Sequence, residues 1–414
     1  MIFIADINPD IVADMIPLDD RGETIGLMEP LVLSQGSGHR TGLMDIAMDL
    51  AAKSSGFRRS LSPGIYRALA QLVRTMNCYY SNLIEDHNTH PVDIERAMQE
   101  DVSNEPEKRN LQLEAKAHVL CQEWIDAGGL QGRAYTMEGL LDIHRRFCEH
   151  LPDDLLWVED QETGDKVRVI GGEMRSRDVQ VGRHRAISPG ALPRFMERFE
   201  AGYNGLGTSE SILAAAAAHH RLVWIHPFID GNGRVARLMS HAALLDTLDT
   251  GGVWSIARGL ARSVDRYKKL LQQADLPRRN DLDGRGSLSE EALADFTRYF
   301  LETCRDQIMF MEGLVQPERL RTRILLWAEE EIRMKTLPEK ASRVLDALLY
   351  RGELPRGEIP QIVGAVDRHG RRITSALLKE GVLVSASPRA PLQLAFPARL
   401  ASRWMPNLFP EKTD

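Results

Sequence analysis

Apolar residues recur at helical spacing along most of this chain, and polar breaks divide it into successive helices. Residues 209–225, SESILAAAAAHHRLVWI, are apolar on every face and predict a buried helix. Residues 235–248, VARLMSHAALLDTL, repeat apolar positions at the same period, and a Gly-Asn-Gly turn joins the two. Earlier, TGLMDIAMDLAAKS predicts a helix over 41–54 with Thr41 as its cap. Ser62-Pro63 opens another, because Pro suits a first turn, and its pattern runs to residue 86. Further helices are expected over 110–127, ended by Gly128-Gly129, and over 137–150, opened by Thr136. Residues 92–108, rich in Asp, Glu, Gln and Asn, read as a solvated stretch, and residues 1 to 40 give no clear element.

The period changes over 155–190, where β-branched and polar residues alternate around Gly-rich turns and predict a hairpin. Arg175, Arg177, Arg183, His184 and Arg185 would make that hairpin basic and suited to an acidic surface. A last core helix is expected to end near residue 313, followed by a connecting helix over 317–336. Three short helical patterns and two strands around a Pro-bearing turn then spell helix, helix, helix and wing. The expected division is an N-terminal helical region (1–109), a core (110–315), a linker helix (316–336) and a winged helix-turn-helix module (337–414). Arg368, Arg371, Arg372 and Arg389 give that module a basic face for DNA, with a protein-interaction role as the alternative.

The 414 residues, 43% of them apolar, allow two or three packed domains. A net charge of −7 argues against wholesale electrostatic binding to nucleic acid. Cys78, Cys121, Cys148 and Cys304 follow no metal or redox spacing and read as buried free thiols. No apolar run approaches the roughly 20 residues that span a bilayer, and MIFIADINPD has no basic export region. A soluble cytoplasmic protein without membrane contact is therefore expected.

The chemistry concentrates between the two central helices, in His226-Pro-Phe-Ile-Asp230-Gly-Asn-Gly-Arg234-Val-Ala-Arg237. The turn Gly231-Asn232-Gly233 feeds a helix N-terminus, whose free N–H groups and positive end suit phosphate. Arg234 and Arg237, three apart, lean toward one anion; Asp230 is a hard oxygen ligand fit for magnesium; His226 takes a proton near neutral pH. A plain loop whose His and Arg cap helix ends would explain any one of these residues but not all together. His219 and His220 point in different directions on a helix and are not read as zinc ligands. His118, His144 and His150 are assigned no role, Phe228 reads as the buried anchor of the loop, and Tyr267 as packing before adenine stacking.

These residues resemble, at every constrained position, the Fic-family signature HPFx(D/E)GNGRxxR. The resemblance implies a mainly α fold with a helical core, a β-hairpin flap, an N-terminal helical region and a C-terminal winged helix. It implies transfer of AMP from ATP, with Mg2+, to a Ser, Thr or Tyr hydroxyl of a target protein. His226 would be the base, Asp230 the metal ligand, Gly231, Asn232 and Gly233 the anion hole, and Arg234 and Arg237 the clamps on the β- and γ-phosphates. Residues 81–85, SNLIE, resemble the (S/T)xxxE(G/N) inhibitory motif, with Ser81 and Glu85 at its defining positions. By that resemblance Glu85 pairs with Arg237 and keeps ATP non-productive; Asp86 departs from the Gly or Asn of the motif. Glu85 reads otherwise as an ordinary acid at a helix end. Val179 and Val181 resemble the flap that holds a target by strand addition, and a homodimer is expected by family analogy alone. Removal of AMP by the same site, and a DNA-binding regulator using the core as a nucleotide sensor, are the alternative functions.

Overall fold

The computed structural model describes residues 19–159, 164–182 and 184–409. It is mainly helical. In chain order α1 (Arg40–Ser60), α2 (Pro63–Ile84), α3 (Pro91–Met98), α4 (Pro106–Asp126) and α5 (Met137–Glu149) lead to two short hairpins. These are β1 (Trp157–Glu159) with β2 (Lys166–Arg168), and β3 (Gln180–Val181) with β4 (His184–Arg185), both antiparallel. The core continues through α6 (Leu192–Tyr203), α7 (Thr208–Ile225), α8 (Asn232–Leu248), α9 (Ala257–Arg262), α10 (Val264–Ala274) and α11 (Glu290–Leu314). After α12 (Pro317–Arg333) come α13 (Ala341–Arg351), β5 (Glu353–Leu354), α14 (Ile359–Val363), α15 (Asp367–Lys379), β6 (Leu383–Val384), β7 (Leu392–Leu394) and α16 (Ala401–Trp404). The last three strands form one antiparallel sheet in the order β5-β7-β6.

Helix α7 is buried because its alanines, Ala214 to Ala218, are apolar and small enough to let α8 and α11 approach closely. One apolar cluster packs Leu72, Phe300 and Trp254 against α1, α2, α9 and α11, then runs on through Trp327, Leu345 and Trp404. It crosses the expected boundary near residue 336 without a break. A second cluster, with Phe195, Phe199, Leu222, Phe228 and Met239, lies under the turn between α7 and α8. Helix α2 lies between the core and the chain end: Tyr80 donates its hydroxyl to the Leu408 carbonyl at 2.8 Å, and its ring faces Phe409 at 6.5 Å.

Several expectations are corrected. Helix α1 starts at Arg40, not under a Thr41 cap, because the buried Arg40 anchors its first turn on the Leu33 carbonyl and Glu210. It also continues past residue 54 to bury Phe57. The stretch 92–108 is not simply solvated: Pro91 opens α3, whose Ile94 and Ala97 are fully buried one turn apart. Those two, with the partly buried Met98, are too few to stand out in the sequence. The single hairpin expected over 155–190 is two separate ones, and the linker helix closes at Arg333. The N-terminal MIFIADINPD lies outside the described residues, whereas residues 19–39 wrap the core and bury Met28 and Leu31.

Candidate active site

The turn between α7 and α8 is held in an unusual backbone shape by specific partners. Helix α7 ends on His226 in the left-handed region, φ 54° and ψ 61°, a conformation that costs a residue with a Cβ about 1–2 kcal/mol. The buried Arg175 holds it there: its backbone N–H donates to the Pro227 carbonyl at 2.9 Å, and its Nε donates to the His226 carbonyl at 2.7 Å. Asn232 closes the loop from the other side. Its Oδ1 accepts from the Phe228 N–H at 2.9 Å and its Nδ2 donates to the Phe228 carbonyl at 2.8 Å. The Asn232 side chain is therefore a staple of the turn, and its backbone N–H remains at the helix start. Gly231 caps α8 with φ 80°, a shape that favours glycine. Phe228 is fully buried and stacks on His144 at 4.0 Å, while His144 Nδ1 accepts from the Gly172 N–H at 3.0 Å.

His226 Nδ1 lies 3.2 Å from the Val223 carbonyl, an acceptor, so Nδ1 carries the hydrogen and Nε2 keeps its lone pair. Burial pushes the His226 pKa down to about 4, and the Arg175 and His184 charges add to that against the Val223 hydrogen bond. The imidazole is thus neutral near pH 7, as a base requires. Asp230 stands half-exposed beside the helix start, its pKa raised by partial burial, against the Gly231 N–H, and by the Glu85 carboxylate. The first N–H groups of α8 have no carbonyl partner within the helix.

Both arginines of α8 are held by carboxylates from other helices. Arg237, which is buried, donates Nε to Ser81 Oγ at 2.8 Å and Nη2 to Glu85 Oε1 at 2.5 Å. That oxygen crowds Gly233 so closely that a Cβ there would lie 2.5 Å from it. Burial alone would raise the Glu85 pKa, but Arg237, helped by Arg234 and Lys268, outweighs it and holds the group below the usual range. Arg234 donates to Glu114 of α4, and Glu114 Oε2 lies 2.8 Å from His87 Nδ1. The sequence reading had no place for Glu114 or His87. The available signal was the spacing of Glu114, His118 and Gln122, four residues apart and so on one face of the helix.

The geometry of α2's last turn explains how Glu85 reaches Arg237 while His87 reaches Glu114, the partner of Arg234. The N–H of His87 bonds to the Asn82 carbonyl at 3.0 Å and that of Asp86 to Leu83 at 3.2 Å, the paired closure of a Schellman turn. The residue between, Asp86, is left-handed with φ 63°. Helix α4 ends on the same pattern with Gly128 in that place, which shows why the position favours Gly or Asn, the preference from which Asp86 departs.

Other expected residues fall elsewhere. Val179 accepts from the Ala186 N–H, and Val181 is 47% exposed on β3, whose sheet has only two strands. His184 Nε2 ties β4 to the Trp224 carbonyl at 2.7 Å, two residues before His226. Two of the residues expected to make this hairpin basic have partners of their own. Arg175 is buried with three side-chain nitrogens on backbone carbonyls, and Arg185 pairs with Asp178 at 2.7 Å. Arg183 lies outside the described residues. Tyr267 is buried with its hydroxyl 2.7 Å from His219 Nε2, so it packs the core and is not available to a nucleotide; His219 also meets Ser240. His220 faces Asp275 at 2.9 Å. His118 is fully buried. All four cysteines are buried and free. Among the described residues no helix is long and apolar enough to cross a membrane.

Residues 134–244 match the Fic/DOC family. It is 36% identical over 128 residues to the protein adenylyltransferase Fic of Drosophila erecta, covering 30% of this chain and 23% of that protein. The protein of the same name from Drosophila ananassae matches at the same identity and coverage. The chain thus spans less than a quarter of the length of these curated relatives. Among solved structures, a Fic family protein from Desulfovibrio desulfuricans G20 aligns over 84% of this chain and 96% of its own, at 17% identity and a TM-score of 0.47.

Proposed function

We propose that this chain is an auto-inhibited protein AMP-transferase, moving AMP from ATP to a Ser, Thr or Tyr hydroxyl of a target protein. One observation carries the reading: a neutral, oriented His226 faces a helix start flanked by two arginines, one of them gripped by a carboxylate from outside the core. The triphosphate lies along the N-terminus of α8, where the N–H groups of Asn232, Gly233 and Arg234 meet phosphate oxygens. Arg237, once free of Glu85, takes the γ-phosphate, and Arg234 takes the β-phosphate. Asp230 fits a magnesium ion, since such ions bind through one or two carboxylates plus substrate phosphates, and the ion would neutralise charge on the leaving pyrophosphate. The target hydroxyl gives its proton to His226 Nε2 as its oxygen bonds to the α-phosphorus. The bond from that phosphorus to the bridging oxygen breaks, and pyrophosphate departs. The β3–β4 hairpin, tied by His184 to the end of α7, presents the target backbone as an added strand beside Val179 and Val181.

In the form described here Glu85 occupies the space over Gly233 and the fork of Arg237, where a γ-phosphate would go. The test is transfer of α-labelled ATP to protein by wild type, Glu85→Gly and Glu85→Gly/His226→Ala. Label with Glu85→Gly that vanishes in the double variant supports the reading. Absence of label in every variant, with ATP still bound, overturns it.

A second reading concerns residues 337–409. Helix, strand, two helices and a hairpin with sheet order β5-β7-β6 support a winged helix. Arg368, Arg371, Arg372 and Arg389 are exposed and meet no acid among the described residues, which favours a polyanion such as DNA. Binding to duplex DNA that falls steeply with salt and with Arg371→Ala/Arg372→Ala tests it.

A further inference from the structure

Arg234 is only 10% exposed, and a guanidinium at that depth needs a counter-charge. Asp230 supplies little, because it is half-exposed and its nearest oxygen is 3.4 Å away. The counter-charge is Glu114, 5% exposed on α4, which lies before the span that matches the Fic/DOC family. Phe147 closes one face of the guanidinium at 5.1 Å, so the plane is set by α4 and α5 together. Glu114 takes Nη1, which leaves Nη2 turned to Asp230 and Nε buried without a hydrogen-bond partner among the described residues.

We infer that Glu114 is a positioning residue for nucleotide binding: its buried carboxylate fixes the guanidinium of Arg234 so that the remaining edge is presented to the phosphates. This rests on the transferase reading above. Glu114 is not a second inhibitory carboxylate, because it belongs to a buried core helix and not to the turn that carries Glu85. Its other oxygen meets His87 of that turn, so the turn touches Arg237 directly and Arg234 only through Glu114. Without Glu114, the guanidinium is left to pair with Asp230, withdrawing a phosphate ligand and a cation ligand at once. The expected signature is therefore in ATP affinity before it is in turnover.

The experiment compares Glu114→Ala and Glu114→Gln in the Glu85→Gly background, reading KM for ATP, kcat and thermal melting. Glu114→Ala is expected to raise KM at least about tenfold with a smaller change in kcat, since it removes a charge-assisted hydrogen bond that orients the ligand. Glu114→Gln keeps an acceptor oxygen toward Arg234 but not the charge, so its KM should fall between those of its parent and Glu114→Ala. Unchanged KM in Glu114→Ala overturns the inference, and so does faster transfer, which would make Glu114 a lock. Should Glu114→Ala fail to fold, Glu114→Met, apolar and of similar volume, carries the test with the same outcomes. If Glu85→Gly itself transfers no label, the transferase reading fails. Calorimetric binding of ATP, which needs no turnover, then still reads Arg234: weaker binding by Glu114→Ala supports the positioning role, and equal binding overturns it.

Discussion

Arg234 and Arg237 stand one turn apart on the same helix, and each is held by a carboxylate, yet the two grips differ in kind. Glu114 is 5% exposed and rooted in the middle of a core helix. Glu85 is 34% exposed and stands at the last turn of α2, on a closure that rests on a strained Asp86. A buried carboxylate on a rigid element orients its partner permanently, whereas one at a helix end withdraws when a single turn opens. On the proposed reading, one arginine is set for binding and the other is available for regulation.

The largest expected effect removes the chemistry and leaves both grips intact. His226→Ala in the Glu85→Gly background should lower transfer by about 10²–10⁴-fold, the range of general base catalysis, with ATP still bound in an equilibrium assay. Breaking the regulatory grip comes next. Glu85→Gly removes a charge-assisted hydrogen bond of about 1.5–3 kcal/mol, so automodification measured with labelled ATP should rise roughly 10- to 100-fold. An unchanged rate would sink the inhibition claim.

His87→Ala cuts the thread between the two grips. Its bond to Glu114 is half-exposed and worth about 1 kcal/mol, so transfer should rise roughly fivefold with Glu85 in place. In the Glu85→Gly background the same change should add nothing. Asp86→Gly works in the opposite direction, relieving left-handed strain of about 1 kcal/mol or more. It should tighten inhibition severalfold and raise the melting temperature by about two degrees, readable by scanning calorimetry.

The buried histidines add a pH dependence that touches neither grip. His226 and His144 have pKa values near 4, and His118 and His219 near 3, all lowered from 6.5 chiefly by burial. A folded pKa below the unfolded one means the unfolded chain binds protons more readily, so stability falls as pH drops from 6.5 toward about 4. Thermal melting followed between those values should show the decline, while transfer by Glu85→Gly should show no loss from His226 until the lower end.

Much of this was legible beforehand because it is local. The helical periods of α7 and α8, the Thr136 cap and the signature from His226 to Arg237 need only neighbouring residues to be read. What escaped depends on contacts distant in sequence. Glu114 meets Arg234 across 120 residues, and Arg175 meets His226 across 51, so neither partner is visible from its own surroundings. The partners of Arg175 and Arg185 are hidden for the same reason: the carbonyls and the acid that meet them cannot be seen in a count of charges. The bond of the Asn232 side chain to Phe228, four residues away, is local and still was not read, because a turn sequence does not show which way its side chain points.

The contrast between the two arginines is tested most directly by a crystal structure of Glu85→Gly with magnesium and ATP. The account predicts that Arg237 has left Ser81 for the γ-phosphate while Arg234 remains on Glu114 and adds the β-phosphate. Arg237 still on Ser81, or Arg234 departed from Glu114, would contradict it.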